Sequence, residues 1–301
     1  MITYTKHVSF KGKRINKKLF NTNLKHKENP ILKALMNYKY KPFEFNDKVV
    51  KEGFKVDVID FKKCKGYFLK STAEENKKVV LQIHGGGYVL PMNDTNFQGA
   101  YLYNKYLGAD VLLVDYRVDE KFPAAIEDVC EAYDYLLTLY DPKNIIVAGH
   151  SAGGGLAVAL LIHLREKELP LPKFSAIASP WLDLKCTGIT YLQNRLVDVT
   201  FGCFFKQDIL PNRYADEEYL ESIYASPMYD KLTDLGEVLV ICGKNEMLLS
   251  DTLTFEEKNK KINVIIYEGM WHDFYTKTDA FKEAKSAWKN IKKFEEVLNG
   301  R

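Results

Sequence analysis

Cysteine is too scarce and too scattered in this chain of 301 residues to build a cross-linked or metal-bound framework. The five present (Cys64, Cys130, Cys186, Cys203 and Cys242) form no CxxC pair and show no metal-ligand spacing. An odd, dispersed set suits reduced thiols buried as small hydrophobes in a cytoplasmic protein. A strong excess of one charge is missing too: 43 Lys and Arg face 40 Asp and Glu, for a net +3. That balance argues against a nucleic-acid partner. The opening residues hold no apolar run long enough for a signal peptide or a membrane span. Internal repeats and low-complexity segments are also lacking.

The charge is nevertheless uneven. Lys6, Lys11, Lys13, Arg14, Lys17, Lys18, Lys25 and Lys27 follow one another without an acid among them. Such a run reads as a solvated, mobile N-terminal arm, with contact to an anionic surface as the alternative.

What is present is apolar and regularly arranged. Hydrophobic residues make up 46% of the chain, ample for a large core on one sheet. Val79 to His84, Val111 to Tyr116, Ile145 to Gly149, Phe174 to Ser179, Val238 to Cys242 and Val264 to Tyr267 read as strands buried on both faces. Between them, Pro123 to Tyr140, Ser151 to Glu168 and Thr278 to Leu298 carry helical spacing. Alternation of this kind predicts an α/β fold, a mostly parallel sheet with helices on both faces. Two regions break the rhythm, residues 1–50 and 181–225. They read as an N-terminal cap segment and a cap insertion over the sheet's carboxyl edge. The core then divides into residues 51–180 and 226–301.

Two motifs carry chemistry. Gly149-His150-Ser151-Ala152-Gly153 follows a buried strand and opens a small-residue helix. A tight strand-to-helix turn of this type needs the glycines, exposes the serine hydroxyl and aims a helix N-terminus at developing negative charge. His84-Gly85-Gly86-Gly87-Tyr88 also ends a buried strand, and its bare amides can approach an oxyanion closely.

With these, DYR at 115–117, FPAAIED at 122–128, SPWLDL at 179–184 and G-x-x-H at 269–272 complete an ordered set. Together they resemble the hormone-sensitive lipase group of α/β-hydrolases, the bacterial type IV esterases. The resemblance implies an eight-stranded sheet, a small helical cap and hydrolysis of short-chain carboxylic esters with no cofactor and no metal. Val118-Asp119-Glu120-Lys121 is shorter than the group's usual segment, so that loop is expected to differ.

In this fold the order is serine, acid, histidine. Of six histidines, only His272 lies on a loop after the last strand, and it is the expected base. The acid should follow Val238 to Cys242, where Glu246 is the expected residue and Asp251, read as a helix-start residue, the alternative. The expected machinery is a Ser151–His272–Glu246 triad, with the amides of Gly85, Gly86 and Ala152 as oxyanion donors. The base should titrate in the ordinary histidine range, about 6.5 to 7.5. The partner is a small-molecule ester, and a homodimer is left open. Amide or acetyl-group hydrolysis by the same machinery is the nearest rival, and a ligand-binding pseudoenzyme the rival of another class.

Overall fold

The apolar runs read from the sequence are the central strands of one nine-stranded sheet. A computed structural model of the chain describes residues 1–26, 33, 35, 37–73, 76–202 and 211–300. Lys27, Cys203 and the stretch 203–210 of the expected cap insertion lie outside the described residues. The strands are β1 (Ile2–Tyr4), β2 (Phe54–Asp60), β3 (Lys65–Ser71), β4 (Val79–Ile83), β5 (Asp110–Asp115), β6 (Ile145–His150), β7 (Phe174–Ala178), β8 (Val238–Gly243) and β9 (Asn263–Tyr267). Across the sheet they run β1-β9-β8-β7-β6-β4-β5-β3-β2. Strand β3 is antiparallel to both neighbours, β2 and β5, and the other pairings are parallel.

Helices cover both faces, as the alternation predicts. Alternate strand residues face opposite ways, so Leu81, Ile83 and Val147 pack on α3 (Ala124–Leu137) and α4 (Ala152–Glu166). Val80, Val111 and Ile146 pack on the other side against Phe97 of α2 (Asn96–Leu107) and Trp288 of α6 (Lys282–Asn299). Strands β4 and β7 are buried at every position, which is why they read as continuous apolar runs.

The N-terminal region differs from expectation in two ways. The sheet gains a ninth strand because Ile2–Tyr4, inside the expected cap segment, pairs parallel with β9, Ile2 opposite Val264. The basic run is not a free arm. Phe10–His26 form α1, which Ser9 caps by accepting the Gly12 amide at 3.0 Å. The Ser9 hydroxyl donates to Glu283 of α6 at 2.8 Å, placing a carboxylate at the positive end of α1. Gly12 permits this contact, since a Cβ there would meet Glu283 and the Met270 methyl at 3.1 Å. Asn16 donates to the Gly269 carbonyl at 2.9 Å, tying α1 to the loop after β9.

Candidate active site

The carboxyl ends of four parallel strands converge on one place. From β6 the chain turns straight into α4, and Ser151 at the turn has φ 55° and ψ −124°. A non-glycine residue in that region is strained and is held only by its surroundings. Here the Ser151 amide donates to Ala178 O at 3.0 Å, and its carbonyl accepts from Gly154, Gly155 and Trp181. The flanking glycines are sterically required. A Cβ on Gly149 would lie 2.2 Å from Gly153 O, and one on Gly153 would lie 2.3 Å from His84 O.

His272 sits on the loop after β9, with Nε2 2.9 Å from Ser151 Oγ and Nδ1 3.2 Å from Glu246 Oε2. The structure thus brings Ser151, His272 and Glu246 into one line. Glu246 is fully buried. Its Oε1 accepts the Ser179 hydroxyl at 2.7 Å and the Gly243 amide, leaving Oε2 for the imidazole. Asp251 is not part of this line. Its Oδ2 accepts the amides of Leu182 and Asp183 and the Tyr191 hydroxyl, at 2.8 to 3.1 Å. It lies in the first turn of α5 (Leu249–Lys258), yet its work is to anchor the SPWLDL segment rather than to start the helix.

Several contributors escaped sequence reasoning. Asn194 donates to Glu246 O at 2.7 Å, and buried Asp198 accepts the Met247 amide at 2.8 Å and those of Thr200 and Phe201. Phe201 places its ring 4.8 Å from that of His272. Segment 194–201 therefore braces the acid loop and the imidazole together. Only Ser179 carried a sequence signal, as the first residue of SPWLDL.

The glycine loop requires a correction. The Gly85 amide donates to His150 Nε2 at 3.0 Å, so it is not free for an oxyanion. His150 can accept because burial, then the charge of Lys277, keeps its pKa well below the ordinary value and its ring neutral. Among the described residues, the amides of Gly86, Gly87 and Ala152 donate to no protein acceptor. His84 supports the loop: its Nδ1 lies 2.7 Å from Gly85 O and its ring stacks on Tyr116 at 4.1 Å. Burial lowers the His84 pKa to about 4, so it too is neutral. Asp115 and Arg117 are structural, but not as a mutual pair. Asp115 accepts the Met92 amide at 3.0 Å, while Arg117 makes a forked contact to Asp128 of the FPAAIED motif.

The electrostatics at His272 depart from the ordinary imidazole range. Burial opposes its cation, but the carboxylates of Asp273, Glu246 and Asp198 outweigh that and raise its pKa to about 9. Asp273 Oδ2 stands 3.4 Å from Nε2, on the serine side of the ring. Burial raises the Asp273 carboxyl in turn to about 6.

Among the described residues, two cavities open on Ser151. The larger, of about 380 Å³, reaches from Ser151 and His272 past Leu19, Leu35 and Phe201 to Asn93 and Lys277. The smaller, of about 10 Å³, is closed by Trp181, Tyr191, Met247 and Leu248.

Residues 80–276 match a family described as alpha/beta hydrolase fold. An acetyl-hydrolase of Streptomyces hygroscopicus is 30% identical over 227 residues, covering 73% of this chain and 74% of that protein. An esterase of Acinetobacter venetianus is 29% identical over 242 residues, covering 78% and 80%. The crystal structure of an esterase from the bacterial hormone-sensitive lipase family superposes with a TM-score of 0.80 at 25% identity, covering 97% of this chain and 99% of that one.

Proposed function

The chain belongs to the alpha/beta hydrolase fold family, in its hormone-sensitive lipase group, and is a carboxylic ester hydrolase; from that premise we propose that Ser151, His272 and Glu246 are its catalytic triad. The observation that carries this reading is the unbroken line from Ser151 Oγ through His272 to Glu246, at 2.9 and 3.2 Å. Ser151 Oγ attacks the ester carbonyl carbon and its proton passes to His272 Nε2. The carbonyl oxygen becomes an oxyanion between the amides of Gly86, Gly87 and Ala152. Collapse breaks the bond to the leaving alkoxide, which takes the proton from Nε2, and the acyl group stays on Ser151. Water then attacks the acyl carbon as His272 accepts its proton; the second tetrahedral oxyanion collapses, the bond to Ser151 Oγ breaks, Oγ takes the proton back from Nε2, and the carboxylic acid leaves. We assign the cap to residues 1–50, less strand β1, and to 181–225; the support is that Leu19, Leu35 and Phe201 roof the larger cavity. A reducing, cytoplasmic setting accords with the thiols of Cys64, Cys130, Cys186 and Cys242 forming no disulfide among the described residues.

The acyl group goes to the smaller cavity, because the leaving alcohol must lie beside His272, which lines only the larger one. A space of about 10 Å³ holds about one water molecule, room for a methyl group and little more. Acetyl esters are therefore the best substrates in this reading, in keeping with the acetyl-hydrolase relative. Across p-nitrophenyl esters from acetate to hexanoate, kcat/KM should fall by about tenfold or more, the usual penalty for methylenes a pocket cannot hold. Met247→Ala should flatten the series. A hexanoate preference in the parent protein would rule out this assignment of the two cavities.

The pH profile tests the base. Proton acceptance requires neutral His272, so kcat/KM should rise with pH through an alkaline group, toward about 9. Removing the charge beside Nε2 destabilises the imidazolium, so Asp273→Asn should move that limb toward the ordinary histidine range. A limb at neutral pH in both proteins would remove Asp273 from this role.

A further inference from the structure

The larger cavity has two unlike walls. Leu19, Leu35, Leu90 and Phe201 make one apolar. Around Asn93, Asn96 and Lys277 the other is crowded with hydrogen-bond donors. The amide orientations follow from their partners. Asn93 Oδ1 accepts the amide and hydroxyl of Thr95 at 3.0 and 2.6 Å, and Asn96 Oδ1 accepts the Asn93 amide at 2.8 Å. Both side-chain nitrogens are left on the side away from these donors, and among the described residues neither donates to a protein acceptor. Asn96 is almost wholly buried, so its unused donor is directed by the fold rather than left on a free surface. Lys277 Nζ donates to Thr95 Oγ1 at 2.7 Å, and no carboxylate among the described residues comes within ion-pair distance of it. Asp273 is the one acid among the residues lining the cavity, and its Oδ2 is turned to His272. At this end two unused side-chain nitrogens and the Lys277 ammonium stand against one carboxylate oxygen without a hydrogen-bond partner, Asp273 Oδ1.

A second observation has the same sign. Helix α1 carries Leu19 into the cavity wall, and its exposed face bears Lys11, Lys13, Arg14, Lys17 and Lys18 with no acid anywhere in the helix. A cluster of like charge beside a cavity raises the local concentration of oppositely charged solutes and speeds their capture.

Building on the ester-hydrolase reading above, we propose that the alcohol released by this enzyme carries an anionic oxygen group, such as a carboxylate, which Lys277 and the side-chain amides of Asn93 and Asn96 hold at the far end of the larger cavity. The alcohol must lie in this cavity to take its proton from His272, and the anion then ends opposite the donors. Basic α1 supplies the steering field. Chemistry at Ser151 is unchanged, with attack and proton transfer as described.

The test uses two acetyl esters of matched shape, meta-acetoxybenzoate and its neutral amide, meta-acetoxybenzamide, with phenyl acetate as reference. At low salt the protein should favour the anionic ester in kcat/KM by about tenfold or more, the value of a charge-assisted hydrogen bond. Added KCl should shrink that advantage. Lys277→Met should lower the anion-to-neutral ratio about tenfold, Lys277→Arg should keep most of it, and combined Lys13→Gln, Lys17→Gln and Lys18→Gln should reduce its salt dependence. A ratio near one in the parent protein, or one untouched by Lys277→Met, overturns the proposal. So does phenyl acetate turnover with neither test ester accepted. Binding to phosphatidylserine vesicles without anion preference among soluble esters overturns it too, since the basic face would then serve a lipid surface. If phenyl acetate itself is inert, the catalytic assignment fails first.

Discussion

Ser151→Ala is expected to lower kcat for an activated acetyl ester by about 10⁶, the scale seen when a triad serine is removed, and to erase labelling by a fluorophosphonate probe. Ser179, the other serine beside the triad, has its hydroxyl committed to Glu246 Oε1, on the side of the carboxylate away from the imidazole. The variant should fold. Alanine keeps the Cβ, and the strained φ of 55° is imposed by backbone bonds to Ala178, Gly154, Gly155 and Trp181, none of which uses the hydroxyl. Residual turnover above the water rate should remain, because the amides of Gly86, Gly87 and Ala152 would still meet the oxyanion. Thermal unfolding separates loss of chemistry from loss of fold. Persistent labelling of the folded variant would move the nucleophile elsewhere.

What the sequence could reveal was set by how local each signal is. The central strands are buried on both faces, so their β-branched runs stand out, and the fold class follows from the alternation. Ser151 and His272 were legible because their motifs are contiguous and their backbone setting is short-range. The choice of oxyanion amides was not. Gly85 and Gly87 look alike in a triplet, and only the nitrogen of His150, 65 positions away, shows that Gly85 is occupied. Asp251 misled for the same reason. Its place in the sequence suits a helix start, while its acceptor oxygen serves Leu182 and Asp183 some seventy residues earlier. Helix α1 was hidden by charge: its partners, Glu283 and Gly269, supply what a lone basic helix lacks. Asn194 and Asp198 lie in a stretch with no apolar period, and their meaning comes from backbone amides and carbonyls of the acid loop that a sequence does not display.

Glu246→Gln should keep the fold and cost about 10⁴ in kcat, the loss known when a triad carboxylate becomes an amide. The reason can be read from the donors around the side chain. At the Oε1 position the Gly243 amide can only donate, and Ser179 donates beside it, so a glutamine must place its oxygen there. Its NH₂ then faces His272 Nδ1, where the carboxylate accepts at 3.2 Å. A donor opposite Nδ1 fixes that nitrogen as the acceptor and puts the ring proton on Nε2. Nε2, 2.9 Å from Ser151 Oγ, can then no longer take the serine proton. Loss of the negative charge should also lower the His272 pKa, so the alkaline limb of the residual activity should shift downward. Glu246→Asp, shorter by one methylene, should retain partial activity. Asp251→Asn is the contrasting variant. Burial raises the Asp251 carboxyl well above its usual range, and asparagine is close to its isostere. Its oxygen can still accept the amides of Leu182 and Asp183, and the cost should be about 1 kcal/mol of stability with kcat little changed. With the fold of each variant confirmed, kcat decides. Near-normal turnover by Glu246→Gln beside a dead Asp251→Asn would transfer the acid role to Asp251, against the hydrogen bonds that surround both side chains.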